Sequence, residues 1–323
     1  MTSVVSPQGF DADAIQDAAD LNPKYIYFPR GTYAIQGHPD VHPHIVSVIE
    51  EGAEFHVEAG SSFSCGKIEG EGLKRLFYGM GSITVEAPAN AEWWGAYGSG
   101  EDETNNLNRA LREARTVLLQ PNRRYKAQAI KMKAGNDLVM SGSTIEALDD
   151  NPGAIIEMVA DCKVTGGTLI GKGGKRIGVS LRDASRAYLN RVDCSGCMDG
   201  FYLDGGEGIK IDHCIASKST RNGVSLISCK SAIFEECEFY ETKGDNPGAG
   251  ICIEPDNSDR TVRNVEFRKC LSAENESYAL IALTPGGEPI TNVWFRACEL
   301  KGRVDVRKMV EGSGVFFDQT KLS

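Results

Sequence analysis

Apolar residues in the carboxy-terminal half of the chain recur in short alternating runs, each beginning at a small residue. The runs begin 22, 23, 27 and 29 residues apart. They read Gly178-Val-Ser-Leu-Arg, Gly200-Phe-Tyr-Leu-Asp, Gly223-Val-Ser-Leu-Ile, Gly250-Ile-Cys-Ile-Glu and, more loosely, Ala279-Leu-Ile-Ala-Leu. Because alternation of apolar and polar positions is typical of half-buried strands, each run predicts one β-strand per repeat.

Each of the last four runs is followed by a second apolar run that ends at a cysteine. Apolar residues stand five and three positions before it: Ile209 and Ile211 before Cys214, Ala232 and Phe234 before Cys237, Val265 and Phe267 before Cys270, and Val293 and Phe295 before Cys298. A unit of this length with two or three strands matches one turn of a parallel β-helix, whose coils stack about 4.8 Å apart. We expect the cysteines to form an interior ladder. A leucine-rich repeat is disfavoured, because its leucine pattern is absent and the repeat length varies.

The amino-terminal part contains a second repeat, in which two segments match at an offset of 92 positions without a gap. Asp11, Ile15, Ala18, Ala19, Ile26, Pro29 and Tyr33 correspond to Glu103, Leu107, Ala110, Leu111, Leu118, Pro121 and Tyr125. Each copy predicts a short helix with an acidic residue near its start, followed by a strand and a Pro-x-x-x-Tyr turn. We therefore expect residues 1–90 to form the first coils of the stack and residues 91–323 to form the main β-helix.

Two segments resemble the pectate-lyase-like superfamily of right-handed parallel β-helix proteins. Ala91-Glu-Trp-Trp-Gly-Ala-Tyr-Gly-Ser-Gly-Glu-Asp-Glu-Thr is similar to the opening of that group, and Tyr25-Ile-Tyr-Phe-Pro-Arg-Gly-Thr-Tyr is similar to the segment after its first helix. The resemblance covers nearly the whole chain. It implies an all-β, single-stranded right-handed parallel β-helix with short capping helices. The group includes polysaccharide lyases, glycoside hydrolases, uronan epimerases and phage tailspike depolymerases, so a polysaccharide partner and a homotrimer are expectations from the resemblance.

Composition narrows the function classes. The net charge is −10 and the chain has no long Lys/Arg run, which disfavours nucleic acid as a partner. No apolar stretch approaches the roughly 20 residues of a membrane span, and no signal peptide is visible. The resemblance favours an extracellular or virion-associated location. Gly171-Lys-Gly-Gly-Lys lacks the spacing of a phosphate loop, and the single CxxC of Cys194 and Cys197 is interpreted as packing.

Alternation along the strands also predicts which side chains point outward. One outward column contains Arg182, Asp204, Ile227, Glu254 and Leu283, and its neighbour contains Ser180, Tyr202, Ser225, Cys252 and Ile281. Asp204 and Glu254 would lie two coils apart, about 9.6 Å. Acid and base in inverting glycosidases are separated by roughly 6.5 to 9.5 Å. We predict these two carboxylates as catalytic residues, against the plain alternative that they form a solvated surface.

Hydrolysis is favoured slightly over β-elimination, and the motifs of polygalacturonases are missing. The predicted substrate-binding residues are Arg182, Tyr202, Arg221, Lys243, Asp245 and Asp256. No cofactor is expected for hydrolysis. A lyase would need a base, and a cation or Ca²⁺ to hold the uronate carboxylate. The candidate base is His213, and the candidate cations are Arg221, Lys243 and Arg263. The candidate Ca²⁺ ligands are the carboxylates Asp245, Glu254 and Asp256. The alternative is a noncatalytic glycan-binding or phage structural protein on the same scaffold.

Overall fold

The structure is a computed structural model that describes residues 4–285, 290–308 and 314–323. In the described residues, helix α1 spans Ala12–Asp20, α2 spans Thr104–Glu113, and a 3-10 helix spans Ala91–Trp94. Neither α-helix is long and apolar enough to cross a bilayer. The remaining regular structure consists of short strands whose ladders are parallel.

The strands in chain order are β1 (Val4–Val5), β2 (Tyr25–Phe28), β3 (Gly31–Ile35), β4 (Val46–Ile49), β5 (Ala53–Val57), β6 (Ser62–Cys65), β7 (Lys67–Glu69), β8 (Phe77–Gly79), β9 (Ser82–Val85), β10 (Ala89–Asn90), β11 (Ser99–Asp102), β12 (Thr116–Leu118), β13 (Arg124–Ala127), β14 (Ile130–Lys131), β15 (Asp137–Ala147), β16 (Gly153–Met158), β17 (Lys163–Ile170), β18 (Arg176–Arg182), β19 (Tyr188–Ser195), β20 (Asp199–Asp204), β21 (Ile209–Asp212), β22 (Ile215–Ser217), β23 (Asn222–Ser228), β24 (Ala232–Glu235), β25 (Glu238–Tyr240), β26 (Ala249–Ile253), β27 (Arg263–Arg268), β28 (Leu271–Ala273), β29 (Tyr278–Leu283), β30 (Thr291–Arg296), β31 (Glu299–Leu300), β32 (Val304–Lys308), β33 (Val315–Asp318) and β34 (Lys321–Leu322).

The chain divides into two compact units. The first combines the residues up to Ser99 with Asn105–Gln120 and Asn136–Val139. The second combines Gly100–Thr104, Pro121–Gly135 and Met140–Ser323. The division predicted between residues 90 and 91 stays a prediction.

The first unit packs aromatic side chains between small parallel sheets. Strands β1, β2, β4 and β7 form one sheet, β3, β5 and β8 form another, and β6 pairs with β9. Tyr33 stacks on Phe55 with ring centroids 5.1 Å apart, and Phe55 stacks on Phe63 at 4.9 Å. Helix α1 lies where the sequence predicts it, because the Asp11 side chain accepts the Ala14 N–H at its start.

The second unit has the stacked strands of a parallel β-helix, as predicted. Eight of them form one sheet in the order β14-β16-β18-β20-β23-β26-β29-β32. The residues predicted to point inward from the repeated runs are fully buried, namely Val179, Leu181, Phe201, Leu203, Val224, Leu226, Ile251 and Ile253. On the other sheet, Phe267 lies between Phe234 and Phe295, with ring centroids 4.4 and 4.6 Å away. The predicted fold class is confirmed.

The cysteine ladder is also confirmed, and its thiols bond to the backbone. Cys214, Cys237, Cys270 and Cys298 are buried and free. Three of these thiols donate to carbonyl oxygens one coil earlier: Cys237 to Ile211, Cys270 to Phe234 and Cys298 to Phe267, at 3.3 to 3.5 Å. The ladder therefore fills the core and satisfies backbone acceptors.

Candidate functional site

A groove with a volume of about 620 Å³ lies on the outer face of the eight-stranded sheet. Strands β16, β18 and β20 contribute to its walls. Its charged and aromatic lining residues are Glu157, Lys175, Arg182, Tyr202 and Arg221. Three of the predicted substrate-binding residues, Arg182, Tyr202 and Arg221, therefore come together in one concave surface.

The outward column through Tyr202 has the predicted register. Ser180 pairs with Tyr202, Tyr202 with Ser225, Ser225 with Cys252, and Cys252 with Ile281. Only Ser180 and Tyr202 of this column line the groove, however. Ser225 and Cys252 are each 1% exposed and Ile281 is 4% exposed. The groove therefore follows the early strands of this sheet, and the later part of the column is covered.

The predicted column from Arg182 to Leu283 is interrupted, which corrects the expectation of a regular stack. Arg182 pairs with Asp204 as expected. The register then shifts after Leu203, so that Asp204 pairs with Ser228. An extra residue in β23 at this point leaves Ile227 out of the column, and its side chain is buried.

Arg221 is held by a carboxylate beneath the groove. The Arg221 Nε donates to Asp199 Oδ1 at 2.9 Å, and Nη2 donates to Oδ2. The Asp199 side chain is completely buried, whereas the Arg221 side chain is 30% exposed. Burial raises the pKa of Asp199 although Arg221 opposes the shift. The bidentate pair therefore fixes the guanidinium at the groove wall.

Arg260 pairs with Asp204, which lies two positions after Tyr202 on β20 and next to Arg182 of the groove lining. It belongs to the segment between β26 and β27, and its Nη2 donates to Asp204 Oδ2 at 3.0 Å. It also pairs with Asp256 at 3.2 Å. Burial raises the pKa of Tyr202, and the charge of Asp204 raises it further. The phenol therefore keeps its proton at neutral pH and can donate a hydrogen bond.

Glu254 follows β26 on the same sheet. Its backbone N–H donates to Leu226 at 2.9 Å, and its carboxylate accepts a weak hydrogen bond from the Cys252 thiol at 3.8 Å. Within the described ranges, no cation pairs with this carboxylate. Burial raises the pKa of Cys252, and the nearby charge of Glu254 adds to the effect.

The other sequence candidates lie away from the groove lining. Lys243 and Asp245 are exposed in the long turn before β26, where their N–H groups bond Ser219 and Thr220. His213 lies on the other sheet, between Asp212 at 2.7 Å and Glu236 at 2.8 Å. In the part of the chain that the structure describes, no group of three or more His, Cys, Asp or Glu side chains is arranged to hold a metal ion. The Ca²⁺ expectation stays tied to the elimination hypothesis.

Sequence reasoning missed four residues of this site. Asp199 was assigned no role, although a carboxylate directly before Gly200 stands out at the start of an apolar run. Lys175 enters the sequence analysis only in the segment excluded as a phosphate loop, and Glu157 precedes the repeats from which the outward columns are predicted. The role of Arg260 could not be predicted from the sequence, because the local pattern does not specify which residue a loop side chain contacts.

Comparison with known proteins identifies the family. The family model described as "right handed beta helix region" matches residues 128–314. The chain belongs to this right-handed β-helix family. No curated protein matches it in sequence.

Solved structures agree with this right-handed β-helix assignment. A mutant catalytic domain of a GH87 alpha-1,3-glucanase in complex with tetrasaccharides superposes with a TM-score of 0.52 at 13% identity. The match covers 99% of this chain and 64% of the glucanase chain, so this protein spans less than two thirds of that domain. A mutant of the periplasmic alginate epimerase AlgG gives a TM-score of 0.51 at 11% identity, covering 99% of this chain and 76% of that one. At these identities the likeness is one of fold.

Proposed function

We propose that this right-handed β-helix protein cleaves a polysaccharide in the groove of its eight-stranded sheet. The observation that carries the proposal is the convergence of carboxylates, cations and a tyrosine at one face. Tyr202 and Arg221 line the groove, Asp204 pairs in register with the groove residue Arg182 and forms an ion pair with Arg260, and Glu254 directly follows β26 of the same sheet. Clefts with a few convergent polar groups are typical of binding sites.

The proposed chemistry is hydrolysis by two carboxylates. An inverting glycosidase needs one group that protonates the leaving oxygen and one that activates water. Asp204 is held by Arg260, which favours the water-activating role for it. Glu254, which has no cation partner among the described residues, is the proposed proton donor.

The structural neighbours are compatible with this proposal. One is a glucanase that was solved with tetrasaccharides, and the other is an alginate epimerase. Both names refer to polysaccharide chemistry on this fold. The specific reaction of the present chain is argued from its own residues, because one fold supports several chemistries.

The test is incubation with a panel of neutral and acidic polysaccharides, with new reducing ends and ultraviolet absorbance of unsaturated uronates followed in parallel. Reducing ends without absorbance are expected for hydrolysis. Asp204→Asn and Glu254→Gln should each lower the rate by about 10²- to 10⁴-fold while binding persists. Glu238→Gln, at an exposed carboxylate on β25, is the matched control and should leave the rate unchanged.

Two results would contradict the hydrolase proposal. Absorbance with the reducing ends would indicate β-elimination instead. If neither new reducing ends nor ultraviolet absorbance appears while binding persists, the noncatalytic glycan-binding function is favoured.

A further inference from the structure

The groove has the opposite charge to the chain as a whole. The protein has a net charge of −10, yet Lys175, Arg182 and Arg221 line the groove beside a single acidic residue, Glu157. Lys175 and Arg182 are exposed. A cleft of one charge sign concentrates ligands of the opposite sign, even on a protein with the other net charge.

One of these cations, Arg221, is held in a fixed orientation by the buried carboxylate of Asp199. Burying a carboxylate completely is unfavourable unless it is paired and hydrogen-bonded. Asp199 meets this requirement through its bidentate contact with Arg221. This arrangement holds the guanidinium in one orientation before any ligand arrives.

Arg221 has hydrogen-bond donors left for a ligand. Its Nε and one Nη2 hydrogen are used by Asp199. A guanidinium has five N–H donors, so both Nη1 hydrogens and the second Nη2 hydrogen remain. They form an edge of the planar fork, the geometry that matches a carboxylate with two parallel hydrogen bonds.

Tyr202 and Arg182 extend this surface along the groove. The Arg182 guanidinium lies 6.0 Å from the centroid of the Tyr202 ring. The Tyr202 hydroxyl is protonated at neutral pH, since burial and then the Asp204 charge raise its pKa. A neutral donor between cations suits an anionic sugar, whereas a neutral glycan would not need three cations.

We propose that the groove binds an acidic polysaccharide, with Arg221 contacting a sugar carboxylate and Asp199 acting as the positioning residue for Arg221. The inference rests on the proposed function because it names the substrate class of the same site. It concerns binding, so it is tested without turnover.

Calorimetric titration of the full chain at low salt compares three probes: oligogalacturonate, dextran sulfate and neutral dextran. We expect oligogalacturonate to bind, dextran to show no binding, and dextran sulfate to bind more weakly per charge. Arg182→Gln and Arg221→Gln should each weaken oligogalacturonate binding at least about ten-fold, because each removes a hydrogen bond to a charged group. Arg191→Gln, at an exposed arginine on β19 outside the groove lining, is the matched control.

Two further variants keep the test valid if Arg221→Gln fails to fold. Replacing both partners, Asp199→Asn with Arg221→Gln, removes the buried charge together with its cation. Asp199→Asn alone should lower the preference for oligogalacturonate over dextran sulfate, a ratio that a purely structural role would leave unchanged. Melting temperatures establish which variants are folded.

The outcomes separate this inference from the cleavage proposal. Selective oligogalacturonate binding that depends on Arg182 and Arg221, without cleavage, supports the inference and contradicts the enzyme. Cleavage of neutral glycans alone, or equal binding of dextran and oligogalacturonate, overturns the inference. Equal affinity per charge for dextran sulfate overturns the carboxylate assignment.

Discussion

Individual residues at the bends of the second unit adopt a backbone conformation that is unfavourable for L-amino acids. The residue directly before each ladder cysteine has φ of 51°, namely His213, Glu236, Lys269 and Ala297. Gln319, at φ 50°, occupies the same place before Thr320, whose hydroxyl donates to the Phe295 carbonyl at 2.8 Å. Thr320 therefore takes the role of the cysteine in the last coil.

Ala297 is the bend residue at which a single change should increase stability. An alanine in the left-handed region costs about 1–2 kcal/mol, whereas glycine is free of this cost but loses about 0.5–1 kcal/mol of backbone entropy. We expect Ala297→Gly to raise the free energy of unfolding by up to about 1 kcal/mol, measured by denaturant titration. The control Ala134→Gly, at an exposed alanine without positive φ, should lower it.

Asp149 should make stability depend on pH. The pKa of its carboxyl lies below the usual range because of hydrogen bonds, first from Arg176 and then from Gln128. Since the folded pKa is depressed, the stabilisation is present above the unfolded value of about 3.9 and is lost as the pH falls below it. Asp149→Asn should melt below the wild type at pH 7, and the gap should narrow toward pH 2. Asp259→Asn, at an exposed carboxylate, serves as control; a gap independent of pH would contradict the explanation.

At the level of strands, the glycines that open the repeated runs are required by close approach of neighbouring coils. A Cβ on Gly200 would lie 2.4 Å from the Ala216 Cβ and 2.7 Å from the Gly223 carbonyl oxygen. Gly178 and Gly223 meet the next coil in the same way, through the carbonyl oxygens of Gly200 and Gly250 at 2.6 Å. The repeated glycines therefore lie where the backbones of adjacent coils are in direct contact.

Gly200→Ala should therefore destabilise the second unit. Overpacking of this kind costs about 1–3 kcal/mol, and the atoms that the added Cβ would meet include backbone atoms, which cannot rotate away. Gly174→Ala is the matched control, because its added Cβ meets nothing closer than 3.8 Å. Thermal unfolding followed by circular dichroism measures both variants, and equal melting temperatures would show that the coils can separate at no cost.

Across the whole molecule, all ten cysteines are buried and free. Burial raises the pKa of the thiol of Cys65 and of Cys197 to about 12 and that of Cys229 to about 11. Thiolates are the reactive form of cysteine. The cysteine content thus belongs to core packing and is compatible with either a reducing or an oxidising environment.

Thiol titration tests this assignment. The native protein should react only slowly with Ellman's reagent, and denaturation should release ten reactive thiols. The measurement is the absorbance at fixed reagent with and without guanidinium. Rapid reaction of several native thiols, or fewer than ten after denaturation without reductant, would contradict a fully packed and reduced ladder.

The sequence by itself determined the coil and its interior. The spacing of the glycine-led runs and cysteines predicted parallel stacking, the inward positions and the cysteine ladder, because periodicity and alternation are local properties of a strand. Only the tertiary structure decided the site. Two contacts of the site join residues far apart in the chain: Asp199 with Arg221, 22 positions away, and Asp204 with Arg260, 56 positions away. The extra residue near Ile227 becomes visible only when β23 is paired with the strand of the adjacent coil. Such contacts depend on how loops and coils meet in space, which no local pattern in the chain specifies.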